Sequence, residues 1–334
     1  MLDKKRSLKR SLLGGIASFL LLGISAFLLL NQQYVKDQIS YRSFEPSASV
    51  KALEKNISFT EKGAFYFYAQ QPEIEGSEAF NKSCQRQEVG NPILGCYVTN
   101  KIFVFDVTNE KLEGIEEVTA AHETLHAVWD RLSKSEQESV GALLEAEYAK
   151  QTDNAELKER MEYYKRTEPG QLQNELHSIL GTEIKTLSPD LEAHYAKYFS
   201  NRQIVVGYHT KYATVFSDLK RRADSLYAEL TSLSVSIQTR SDQYDINVAQ
   251  LSRDIGAFNT RANNAEFTSN NQFNRERAVL LTRTNQLDAD RASISTDIDQ
   301  YNAKYDEYQS ISSEIEVLNK SIDSIKDLQP APSV

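Results

Sequence analysis

"EEVTAAHETLHAVWDRL", Glu116 to Leu132, is the stretch on which the reading of the chain turns. Ile115, Val118, Ala121, Leu125, Val128, Trp129 and Leu132 recur at helical spacing and form one apolar face. Two of the chain's five histidines, His122 and His126, stand at the edge of that face. Residues four apart on a helix are about 6 Å from each other on one side, so both imidazoles can address a single ion. Glu123 is rotated by about 100° from His122. It is poorly placed as a ligand but well placed to reach a water beside the ion. Two ligands and a general base are the logic of H-E-x-x-H: the metal acidifies a water, Glu123 takes its proton, and a polarised carbonyl is attacked. Zinc is the ion this donor set implies.

A catalytic zinc needs a third protein ligand and an open fourth position. Glu175, His177, Glu183, Glu192 and His194 are the downstream candidates. "QLQNELHSILGTE" (Gln171–Glu183) reads as a helix with Leu172, Leu176, Ile179 and Leu180 inward. Glu175 and His177 fall at opposite borders of that inward face, so only one of them can meet the metal.

"AAHETLHAVWD" resembles the active-site helix of the thermolysin-like, or gluzincin, metallopeptidases. In that family a second helix supplies a glutamate ligand, commonly within N-E-x-x-S-D. Asn174, Glu175 and Ser178 match, and the resemblance implies Glu175 as the third ligand. Ile179 departs from the pattern. The aspartate normally found there orients a histidine ligand, and Asp130 or Glu183 would have to take over that task. The resemblance covers two short helices. It implies zinc, a peptidase activity and a zincin-like α+β fold, mainly helical, over residues 61–203.

Around this segment the chain is acidic, with a net charge of −9 and no large basic block. That argues against nucleic acid as a partner. "MLDKKRSLKR" (residues 1–10) is basic, and Ser11–Leu30 carries no charge. About 20 apolar residues span a hydrocarbon core. The expectation is a retained transmembrane anchor over 11–30, preferred to a cleaved signal peptide, with the N-terminus cytoplasmic and the rest outside. Cys84 and Cys96 lie close in sequence, and in such a compartment they can pair as a disulfide.

Residues 31–60 read as a juxtamembrane linker with a short helix at "SVKALEKN". "GAFYFYA" (Gly63–Ala69) and "KIFVFDV" (Lys101–Val107) read as strands, the second a candidate edge for an extended peptide. From Leu112 the pattern is helical, over 113–133, 135–150, 154–166, 171–181 and 189–202, broken at "TEPGQ" and "LSPD". Tyr195, Tyr198 and His194 are candidates for stabilising an oxyanion.

From 204 to 327 two apolar series follow, separated by "NTRANNAEFTSNNQ" (Asn259–Gln272). One register folds them into an antiparallel coiled-coil hairpin, each arm about 75 Å long. It sets Phe258 against Phe273, Leu251 against Leu280, Asp254 against Arg277, Arg240 against Arg291 and His209 against Ile322. Residues 328–334 form a tail. The function this predicts is a membrane-anchored zinc metallopeptidase acting on peptide or protein substrates, with the coil as spacer or as dock for a protein partner. The alternatives are an inactive, structural coiled-coil relative and a zinc amidase acting on cell-wall material.

Overall fold

The structure, a computed structural model, describes residues 18, 20–84 and 93–324. The described chain is mostly helical with one small sheet. It forms two units: residues to Val215 together with Leu318 onward, and Phe216–Val317.

Residues 18 and 20–30 are helical (α1). Among the described residues no helix is long and apolar enough to cross a membrane. This corrects the expected anchor over 11–30, and with it the sidedness drawn from that anchor. Residues 18 and 20–30 are the described part of the apolar run. They run into the polar helix α2 (Gln32–Ser43). The basic segment 1–10 and residues 11–17 and 19 of the expected anchor lie outside the described residues, as does the tail 328–334.

The stretch 31–60, expected as a linker, belongs to the core. Helix α3 (Ala48–Ile57) starts at Ser47, whose side chain accepts from the Val50 N–H, and buries Val50, Leu53 and Ile57. "GAFYFYA" is a helix, not a strand: α4 (Glu61–Ala69). Two local features override the alternation of its aromatics. Thr60 caps the N-terminus by accepting from the Gly63 N–H. Gly63 and Phe67, four apart, share the inward face, and a Cβ on Gly63 would lie 2.1 Å from the Tyr198 carbonyl oxygen.

The sheet has the order β1-β3-β2, with β1 (Glu73–Glu75) parallel and β2 (Gly95–Val98) antiparallel to β3 (Lys101–Phe105). "KIFVF" is therefore the central strand rather than the edge. The β2–β3 hairpin closes through Thr99 and Asn100, both at positive φ (52° and 58°), the conformation a two-residue hairpin turn demands. A short helix α5 (Ser77–Ser83) precedes the Cys84–Cys96 disulfide, which ties β2 to its end.

The remaining first-unit helices are α6 (Ile115–Trp129), α7 (Lys134–Tyr148), α8 (Ala155–Thr167), α9 (Leu172–Glu183) and α10 (Pro189–Tyr195). Val118, Ala121, Leu125 and Val128 of α6 and Leu176, Ile179 and Leu180 of α9 are buried in one core. The two helices approach closely because residue 181 is glycine: a Cβ there would stand 2.4 Å from Leu125 Cδ1.

Helix α11 (Arg202–Asn263) contributes residues 202–215 to the first unit and continues through the second, which α12 (Asn270–Ile322) also builds. Within the second unit the Phe258 and Phe273 rings lie 5.0 Å apart. The polar pairing differs from the expected one. Arg283, not Arg277, donates to Asp254 (2.6 Å), and Arg240 pairs with Asp297 instead of facing Arg291. Long guanidinium stems reach diagonally along the flank of the seam, whereas the expected register took every pair straight across. His209, in the first unit, lies 3.2 Å from the Glu183 carboxylate.

Candidate metal centre

Helix α6 presents His122 and His126 on one side, with ring centroids 4.8 Å apart. Helix α9 delivers the Glu175 carboxylate between them. Glu175 Oε2 is 3.8 Å from His122 Nε2, and Oε1 is 3.5 Å from His126 Nε2. The three ligand atoms all lie within 4.8 Å of one another, a possible metal-binding triad and the one such group of His, Cys, Asp or Glu among the described residues.

The chemistry of this donor set fits a divalent cation. Glu175 Oε2 is buried and has no hydrogen-bond partner. A buried carboxylate oxygen left unpaired is costly, and a cation at the centre of the triad would satisfy it. His126 Nδ1 lies 3.0 Å from Asn174 Oδ1, with Ser178 Oγ at 3.3 Å. A proton on Nδ1 donated to Asn174 leaves the Nε2 lone pair toward Glu175, the tautomer a metal ligand requires. Burial opposes the charge on Glu175, but His126 and His122 outweigh it and hold the carboxyl below its ordinary range. At His122 burial disfavours the imidazolium, while Glu175 and Glu123 reverse the balance and raise it.

Glu123 is buried, and burial lifts its carboxyl above the ordinary range against the pull of His126 and His122. Strand β2 passes directly over it. A Cβ on Gly95 would stand 2.9 Å from both Glu123 Cγ and Oε1, so only glycine lets the strand come this near. The triad and Glu123 open onto a cavity of about 1420 Å³, also lined by β2, the Thr99–Asn100 turn and one face of α8.

No protein-family model, curated protein or solved structure matches the chain. The likeness to gluzincins therefore rests on the H-E-x-x-H motif, the partial N-E-x-x-S-D and the geometry of the triad.

The other sequence candidates go elsewhere. His177 is fully buried, and its Nε2 lies 2.9 Å from His194 Nε2. Glu183 pairs with Arg160 and His209, and Glu192 with Arg202. The Tyr195 hydroxyl donates to the His177 carbonyl (2.7 Å), and Tyr198 is buried under Lys62. None of these lines the cavity. Asp130 does line it, but its carboxylate makes no hydrogen bond to either candidate ligand histidine; Asn174 Oδ1 and Ser178 Oγ lie at His126 Nδ1 in its place.

Two lining residues escaped the sequence reading. Tyr164, next to Glu175, is kept protonated by burial and by that carboxylate. Glu168 is an electrostatic neighbour of Glu175, His126 and His122. The tyrosine pair in the otherwise polar "MEYYKRT" was the signal for the first.

The cavity wall is braced behind α6. Arg131 donates to both oxygens of Asp37 at 2.7 Å, to the Tyr97 hydroxyl at 3.1 Å and to Gln70 Oε1 at 2.9 Å. Helix α2, the end of α6 and strand β2 are thereby held to one buried guanidinium.

Proposed function

We propose that the chain is a zinc-dependent hydrolase of peptidase type, with His122, His126 and Glu175 as the metal ligands. The observation that carries this reading is the unpaired, buried Glu175 oxygen set between two imidazoles on the wall of an open cavity. Zinc held there would supply Lewis acidity to the carbonyl of the bond to be cut.

The chain's own residues supply the rest. Glu123 takes a proton from the attacking water and later gives it to the leaving amine, so that water is added across the C–N bond. Its proton affinity, raised by burial, suits both halves of that exchange. The Tyr164 hydroxyl, held protonated, is a donor for the negative charge that develops on the carbonyl oxygen. Among the described residues strand β2 is paired on one side only, by β3. Its other side offers backbone groups to an extended polypeptide.

The test is Glu123→Gln in the full chain. Zinc content should stay at the parental level while peptide hydrolysis falls by at least about a thousandfold, because the amide cannot accept the proton. Parental hydrolysis by this variant would contradict the reading. So would a parent that fails to bind zinc.

A further inference from the structure

Resting on that reading, we infer that the cavity selects polypeptide segments bearing lysine or arginine beside the bond to be cut. Beyond Glu123 and Glu175, its wall carries Asp130, Glu156, Glu159, Glu162 and Glu168, of which Glu162 pairs with Lys165 at 3.6 Å. Glu156 and Glu159 are three apart on α8, and Tyr163 and Tyr164 continue the same face one turn on, so this side of α8 looks into the cavity. Among the described residues, none of the other four carboxylates has a lysine or arginine within 4.0 Å.

The two arginines on the wall offset them only in part: Arg166, bonded to a neutral carbonyl, keeps its charge, while Arg160 is shared between Glu183 and the field of Glu156. Arg160 gives both terminal nitrogens to Glu183, and Arg166 donates to the Glu162 carbonyl. Glu168 stands beside the triad, and Glu156 and Glu159 extend the negative wall along α8.

The cavity is thus a ligand site on independent grounds, namely the unpaired Glu175 oxygen and strand β2, which among the described residues is paired on one side only. Its remaining charge sets the chemistry of what enters. Low-dielectric walls of one sign concentrate ligands of the other. An extended chain along β2 turns alternate side chains to opposite sides, which gives cationic side chains access to the carboxylates while the backbone follows the strand. A neutral or acidic segment would leave them uncompensated.

Binding tests this without relying on turnover. The full chain carrying Glu123→Gln is titrated with fluorescein-labelled peptides of about ten residues, identical except for Lys, Gln or Glu on either side of the central bond, and anisotropy is read. The lysine peptide should bind about tenfold more tightly than the glutamine peptide, and the glutamate peptide more weakly still. The preference should shrink in high salt. It should collapse when Glu156→Gln, Glu159→Gln and Glu168→Gln are combined.

Equal binding of the three peptides overturns the inference, and so does a lysine preference that survives the triple substitution. Hydrolysis by the parent is scored separately. Tight lysine-dependent binding without cleavage sustains the charge selectivity and counts against the hydrolase. Cleavage with no charge preference does the reverse.

Discussion

The first unit holds two histidine pairs of nearly the same geometry and opposite chemistry. His122 and His126 meet edge to face at 4.8 Å, and His177 and His194 at 5.1 Å. The first pair borders the cavity and has Glu175 between its nitrogens. The second is sealed in the core, and one ring's Nε2–H donates to the Nε2 of the other. Burial, with Lys197 and Lys62 nearby, pulls His194 down to about 4 against the one opposing carboxylate, Glu136. His177 is held well below its ordinary value by burial and by its histidine neighbours. Around His122 the carboxylates win and the shift runs the other way. A carboxylate partner and access to a cavity, rather than the presence of paired imidazoles, separate a candidate ligand set from a packed polar pair.

That contrast can be broken most sharply by exchanging ligands. Glu175→Ala should weaken zinc binding by at least about a thousandfold, since it removes one of the three proposed ligands. His177→Gln, only two residues away, should leave the affinity of the folded protein within about twofold. Competition with a chromophoric chelator reads both. Equal losses in the two variants would erase the distinction. A smaller effect is expected from the residue that orients rather than binds. Asn174→Ala should cost about 10–100-fold in zinc affinity, as outer-shell partners of metal-bound histidines typically do. Parental affinity in that variant would place the control of the His126 tautomer elsewhere.

How much of this was legible in the sequence differs from place to place for physical reasons. The α6 face, the two histidines and Glu123 follow from spacing alone, because a helix carries its neighbours at fixed angles. The meeting of Glu175 with them came from a motif resemblance, and the structure gives that meeting its distances. The replacement for the missing aspartate at Ile179 was not legible. It depends on how α9 rolls against α6, which the Gly181–Leu125 approach sets.

Strand β2 was missed because "GCYV" is only four residues long and opens on a glycine. Its turn, Thr99–Asn100, lacks the glycine that usually marks a hairpin. "GAFYFYA" was misread because alternating aromatics imitate a strand, and a Thr60 cap with a close Gly63 contact decides for helix. The apolar run near the N-terminus satisfied a count of hydrophobic residues, but among the described residues no helix is long and apolar enough to cross a membrane, and the run leads into the polar helix α2.

The central claim is that His122, His126 and Glu175 together hold one zinc ion. Zinc K-edge X-ray absorption on the full chain, loaded with one equivalent, tests it most directly. The account predicts two imidazole nitrogens at about 2.0–2.1 Å with oxygen completing the shell and no sulfur, and loss of one oxygen scatterer in Glu175→Ala. A shell containing sulfur, a shell with fewer than two imidazoles, or one unchanged by Glu175→Ala would contradict it.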